Sequence, residues 1–157
     1  MKIKLICVGK TNFNFLKTGE EEYSKRLAHY CSFSRIDIPE LKQVKSFTQE
    51  EIKLREGELI LSKIQSGEYL VLLDDKGKSF NSIAFANHLE KKALHGSSAI
   101  TFIIGGAYGF SNDLYERSNH KLGLSKMTFS HQMVRMIFLE QLYRAMSILK
   151  GEPYHHE

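Results

Sequence analysis

The chain is poor in the features that would place it quickly. Only two cysteines occur in 157 residues, Cys7 and Cys31, and neither has metal-ligand spacing, so neither a disulfide scaffold nor a cysteine zinc site is indicated. No apolar run approaches the roughly 18 residues of a membrane span. The opening MKIKLICVGK carries an apolar stretch too short for the core of a secretory signal and reads as a strand. A reducing cytoplasm is the expected location. With only 11 glycines there is neither a G-x-G-x-x-G fingerprint nor a G-x-x-x-x-G-K-S/T loop, which argues against a usual NAD site and a P-loop. No nucleophile elbow, metal cluster, internal repeat or low-complexity tract is present either.

What is present is the composition of an ordinary globular domain. Apolar residues make up 42% of the chain and charged residues 25%, and the length suits one domain over residues 1–157. The net charge of +4 and pI near 9.0 suit a polyanionic partner, although many proteins that bind none share such values.

Hydrophobic periodicity predicts alternating elements. Residues 2 to 8 form a strand, Phe15 to Tyr30 a helix with Leu16, Tyr23, Leu27 and Tyr30 near one face, and Ser32 to Ile38 a strand that stops at Pro39. Thr48 and Glu51 make a capping-box pattern opening a helix to about Gln65, with Ile52, Leu59, Leu61 and Ile64 as its apolar positions. EYLVLLDDKGK is a buried strand running into an acidic turn at Asp74 to Lys78; a helix from Ser82 to Leu94 ends at Gly96, and AITFII is a fourth strand. A short helix from Ser111 to Arg117, a strand KLGLS and a long helix from His131 to Lys150 complete the chain. The expected fold is α/β, a mainly parallel sheet flanked by helices.

In such sheets ligands sit beyond the carboxyl ends of the strands. The loops after Leu73, Ile104 and Leu124 qualify, and Gly105 and Gly106 remove side chains where backbone turns sharply or approaches a ligand. A plain tight turn fits that pattern as well as a ligand loop does. The last helix is apolar almost all round, which predicts burial on more than one side. A symmetric homodimer would provide it, and so would a central position within one subunit. Glu140 and Arg144 are spaced for an ion pair. His131 and Arg135 near the helix start gain nothing from its dipole and fit a nearby anion, or simply solvent.

The segments KIKLICVGK, IGGAYGF and LSKMTFSHQMVRMIFLEQLYRAMSILKGEPYHH resemble the ribosomal RNA large subunit methyltransferase H family (RlmH, YbeA-like) of the SPOUT superfamily. The similarity spans the whole chain and is weakest from about Glu40 to Glu68. It departs at Ser130, where relatives usually have proline, and at His156, where lysine or arginine is common. The resemblance implies a C-terminal trefoil knot, which general topology rules would have excluded. It implies S-adenosylmethionine bound bent in that knot by Leu73, Gly105 and the run Leu124, Ser125, Lys126, Met127, Thr128 and Phe129, with Leu73, Leu124 and Met127 enclosing the adenine. The implied reaction is methylation at N3 of a pseudouridine in helix 69 of 23S rRNA within the assembled ribosome. His131 or His155 would take the N3 proton, Arg135 and Arg144 would contact RNA backbone or stabilise the site, and Tyr154 would stack on a base. The family further implies a homodimer in which the tail completes the partner subunit's pocket, with no metal and no membrane. A non-catalytic RNA-binding or ribosome-assembly factor is the alternative on the same fold.

Overall fold

Alternation along the first strand decides the layers. In β1 (Lys2–Val8), Ile3, Leu5 and Cys7 enter one hydrophobic cluster while Ile6 and Val8 enter another on the opposite face of the sheet. The computed structural model describes residues 1–156, and its remaining elements follow in order. They are α1 (Asn14–Leu27), β2 (Ser32–Ile38), α2 (Gln49–Leu61), β3 (Glu68–Lys78), α3 (Ser82–Leu94), β4 (Ala99–Ile104), α4 (Asn112–Arg117), β5 (His120–Leu122) and α5 (Met133–Leu149). The five strands form one parallel sheet in the order β2-β1-β4-β3-β5. β4 therefore lies at the centre between β1 and β3, and it is buried along its whole length.

Helices cover both faces. α1, α3 and α5 lie on the face that carries Leu5, Ile100, Phe102 and Ile104, with Phe138, Leu139 and Leu142 of α5 packed into the middle of that cluster. α2 and α4 cover Ile6, Leu70, Leu72 and Ile103 through Ile60 and Leu114. The capping box at Thr48 and Glu51 forms as expected. The apolar stripe of α2 differs from expectation, because it advances by fours from Ile52 through the half-buried Glu56 to Ile60 and leaves Leu59 exposed. Gly57 turns toward Ser111 and Leu114, where there is no room for a Cβ, and this close approach of α4 sets the face.

Two boundaries also shift. β5 is only His120–Leu122, one residue earlier at its start and three shorter at its end than the expected KLGLS, and the Gly123 amide still donates to the Lys78 carbonyl of β3 at 3.1 Å. The acidic segment after Leu73 is looped out inside β3, where Leu73 and Lys78 both pair with Leu122. α5 answers the question its apolar surface raised in part: it is flanked by α1 and α3 within one subunit, while Val134, Met136, Ile137 and Ile148 stay half-buried.

At the amino ends of the strands, Lys4 Nζ meets Glu68 Oε1 at 2.5 Å and donates to the Lys63 carbonyl at 2.8 Å; the Thr101 hydroxyl donates to Glu68 Oε2 at 2.7 Å. All three side chains are buried. Glu68→Ala strands the ammonium of Lys4 and should cost about 3–5 kcal/mol in urea unfolding, whereas Lys4→Met with Glu68→Leu, which removes both charges, should cost less.

On the other side of β3, the rings of His88 and His120 lie 5.0 Å apart beside Phe80, each with a buried, unpartnered Nε2. Burial, then His120 and the Lys92, Lys78 and Lys91 ammonium groups, push His88 down to about 4. Burial, Lys78 and Lys92 also lower His120. The unfolded chain takes up these protons near pH 6.5, before the folded one does, so stability is full above that pH and falls as pH drops toward 4. His88→Phe should flatten the fall in Tm across that window, measured by calorimetry.

Candidate active site

The carboxyl ends of β3, β4 and β5 open on a cavity of about 430 Å³, within the range of small-molecule sites. Leu73, Ile104, Leu122 and Leu124 give it an apolar floor, and Asp74, Tyr108, Tyr115 and His131 lie around it. The glycine bend after β4 is shaped by packing. A Cβ on Gly105 would lie 2.9 Å from Cε1 of Phe110, and one on Gly106 would lie 2.8 Å from the carboxylate oxygens of Glu56. Gly106 and Gly109 then bridge each other, Gly109 at a φ of +85°, and the Ser111 hydroxyl accepts the Leu114 amide to start α4.

The far wall depends on a second close approach, between the loop within β3 and the chain leaving β5. A Cβ on Gly77 would come within 2.6 Å of the Leu122 carbonyl carbon and 2.7 Å of the Gly123 nitrogen, and one on Gly123 within 2.8 Å of the Gly77 oxygen. Backbone passes directly over backbone here. Asp74, at the mouth of this loop, accepts the Tyr115 hydroxyl at 2.7 Å and the Lys76 amide at 2.9 Å. Burial works to raise its pKa, but these bonds and the neighbouring Lys121 hold it below the ordinary carboxylate value, so it is ionised at neutral pH. Burial and the Asp74 carboxylate together push Tyr115 up to about 12.

Of the residues expected at a cofactor, Leu73, Gly105, Leu124, Ser125, Met127, Thr128 and Phe129 line this one cavity, while Lys126 is not on its wall. Met127 is 77% exposed and stands at the cavity mouth. Ser125 accepts the Met127 amide at 2.9 Å, which tightens the loop. Ser130 accepts the Met133 amide at 3.1 Å, giving the start of α5 a side-chain partner that proline could not supply. His131 is on the cavity wall and exposed.

Arg135 was expected to contact RNA backbone or to stabilise the site, and of the two the structure corrects the first: it is 0% exposed, and its guanidinium donates to the carbonyls of Val8 (2.6 Å), Gly9 (3.0 Å) and His131 (3.1 Å) and to the Thr11 hydroxyl (3.2 Å). A side chain enclosed in this way cannot meet a phosphate; it fixes the start of α5 to the end of β1. Arg144 forms the expected ion pair with Glu140 at 2.6 Å and lies over the ring of Tyr154, whose hydroxyl also reaches Glu140. Tyr154 and His155 thus sit along α5, outside the cavity of their own subunit, and His155 Nδ1 is buried without a partner. Asp74, Tyr108 and Tyr115 are wall residues that sequence reasoning did not single out. The Asp74 turn was legible, but its meeting with Tyr115 across 41 residues was not. Among the described residues no group of three potential metal ligands occurs and no helix is long and apolar enough to cross a membrane.

A family model described as predicted SPOUT methyltransferase matches residues 1–155. The chain belongs to the SPOUT methyltransferase family. Full-length relatives named ribosomal RNA large subunit methyltransferase H are similar to this SPOUT chain throughout. The relative from Parabacteroides distasonis is 52% identical over 157 residues, 100% of both chains. That from Flavobacterium psychrophilum is 51% identical over the same span, again 100% of both chains. In fold, the chain is similar to a probable methylase family protein from Haemophilus influenzae, with a TM-score of 0.52, 11% identity, and coverage of 99% of this chain and 70% of that one.

In this SPOUT chain the Gly77 crossing is the most easily tested determinant of the cavity. Gly77→Ala should cost roughly 1–3 kcal/mol or more, because the atoms it meets are backbone and cannot rotate away. Thermal unfolding reads the loss. A Tm within about 1 °C of wild type would show that the crossing can open.

Proposed function

We propose that the protein is an S-adenosylmethionine-dependent ribosomal RNA methyltransferase that modifies N3 of a pseudouridine in helix 69 of 23S rRNA, within the assembled ribosome. The observation that carries this reading is the convergence of the β3, β4 and β5 loops on one cavity in a chain half identical, end to end, to proteins of that name.

The cavity suits the cofactor chemically. Its floor is apolar, as an adenine requires, and the loops bring backbone donors and acceptors to the edge of that floor. Asp74, ionised beside Tyr115, suits a cationic ligand and disfavours a phosphate-bearing one. S-adenosylmethionine supplies a methyl group already activated by its sulfonium, so the protein has chiefly to position and desolvate the acceptor. Leu73 and Leu124 would hold the adenine, Gly105 would admit the ligand against backbone, and residues 125 to 129 would close the near side. Lys126 would then contribute through its backbone alone.

The N3 proton has to leave the base. His131, exposed on the cavity wall, would take it as general base. His155 is the other candidate base, and it requires a second subunit. The half-buried residues of α5, among them Ile137 and Ile148, are the surface on which two copies would meet. The tail of one copy, with Tyr154 stacking on a base and Arg144 near the RNA backbone, would complete the pocket of the other. The same reading assigns the C-terminal trefoil knot to the chain around the Gly77–Gly123 crossing.

Incubating the protein and S-adenosylmethionine with ribosomes that lack the modification, followed by nucleoside mass spectrometry of the 23S RNA, should yield N3-methylpseudouridine. Cofactor binding without that product would move the target elsewhere. Deleting residues 154–157 should abolish transfer while calorimetry still detects S-adenosylmethionine binding, and sedimentation should give twice the mass of the 18.1 kDa chain. A monomer at all concentrations would overturn the shared pocket.

A further inference from the structure

Two large rings on this surface have no place in the core. Phe13 and Phe15, where β1 leads into α1, are 54% and 62% exposed, with ring centroids 5.6 Å apart at an interplanar angle of 36°. Scattered single apolar residues need no explanation, and the solvated Leu94 at the end of α3 is one such case. A pair of adjoining aromatic rings is different, because it presents a contiguous apolar face.

Position and charge narrow what that face meets. The Asn12 amide donates to Gln132 Oε1 at 2.8 Å, and Arg135 holds the Gly9 carbonyl at 3.0 Å, so the β1–α1 loop is fixed to the start of α5. Gln132 directly follows His131, which lies on the cavity wall. The loop that leads into the ring-bearing segment is therefore tied to the residue next to the cavity wall. Lys10 and Lys17, both exposed, bracket the rings; the segment from Gly9 to Gly19 carries no carboxylate of its own, and the Glu40 side chain lies against Gly9 at its start. Glu20, the first acid beyond, is buried against Arg35 and Thr11. A partner that offers flat apolar faces and negative charge together is an unpaired nucleic acid strand.

We propose that Phe13 and Phe15 form a stacking platform for the unpaired bases flanking the target nucleotide, with Lys10 and Lys17 on the adjoining phosphates. The inference rests on the reading of an RNA loop as substrate. Single-stranded loops are gripped by stacking on aromatic rings, which accept any base through its π face, and by cations along the backbone. Such a platform would also hold the neighbours in place when the target base turns out of its stack toward His131.

The test uses the full-length protein and unmodified ribosomes. Replacing both rings, Phe13→Ser with Phe15→Ser, should raise the KM for ribosomes about tenfold or more while the Kd for S-adenosylmethionine, by calorimetry, stays within about twofold. Phe13→Tyr with Phe15→Tyr keeps both π faces and should restore the wild-type KM. Lys10→Ser with Lys17→Ser should weaken binding and reduce its salt dependence. An unchanged KM in the double serine variant overturns the platform, and so does a fall from dimer to monomer in that variant, which would make the rings a contact between two copies. Cosedimentation with ribosomes separates this inference from the proposed reaction. If the wild type binds ribosomes without methylating them, loss of binding in the serine variant supports the platform and retention overturns it. A wild type that neither binds nor methylates them overturns both.

Discussion

The arrangement of this molecule depends on one buried cation. Arg135 has no exposed surface, and its guanidinium is satisfied by the carbonyls at the end of β1, the Thr11 hydroxyl and the carbonyl of His131. A charge enclosed in protein is tolerated only when such partners surround it, and losing them is costly. The contact therefore sets where α5 begins relative to β1. Everything between β5 and α5 must fit that distance, including the loop that borders the cavity and the histidine at its rim. Thr11 passes the constraint on, since its hydroxyl also donates to Glu20, which Arg35 of β2 holds in turn. One network thus joins the end of β1, the first helix, the edge strand and the last helix.

Most of the fold was legible, because four of the strands carry apolar runs or alternation and the helices carry an apolar period, with side-chain caps at α2, α3 and α4. Thr48 caps α2 in the expected capping box, and Asn81 and Ser111 cap α3 and α4. What was not legible came from contacts between distant segments. Leu59 fits a helical stripe as well as Ile60 does until α4 packs against Gly57 and selects between them. Gly77 reads as ordinary turn chemistry, yet it lies where a Cβ would meet the backbone of Leu122 and Gly123. Order within the sheet is equally hidden, since strand composition does not say that β1 and β4 are neighbours.

The site shows the same division. The loops at the carboxyl ends of β3, β4 and β5 open on one cavity, and most of the residues that the family resemblance named for a cofactor line it. Arg135 misled because spacing on a helix fixes only which side chains share a face. Whether that face meets solvent, a phosphate or the end of a neighbouring strand is decided by tertiary packing. Asp74 and Tyr115 were missed for the converse reason, since neither carries a motif and their meaning lies in the hydrogen bond between them.

The sheet order has a further consequence during synthesis. β1 is the first strand made, but its central partner is β4, with Ile3 set opposite Ile100 and Cys7 opposite Ile104. At the usual rate of about 5–20 residues per second, roughly 5 to 20 s separate the two on the ribosome. During that interval β1 can pair with β2 alone and presents an apolar, unpaired edge. The nascent chain is therefore most vulnerable to aggregation before its fourth strand emerges, and factors that shield nascent apolar segments would matter most in that window.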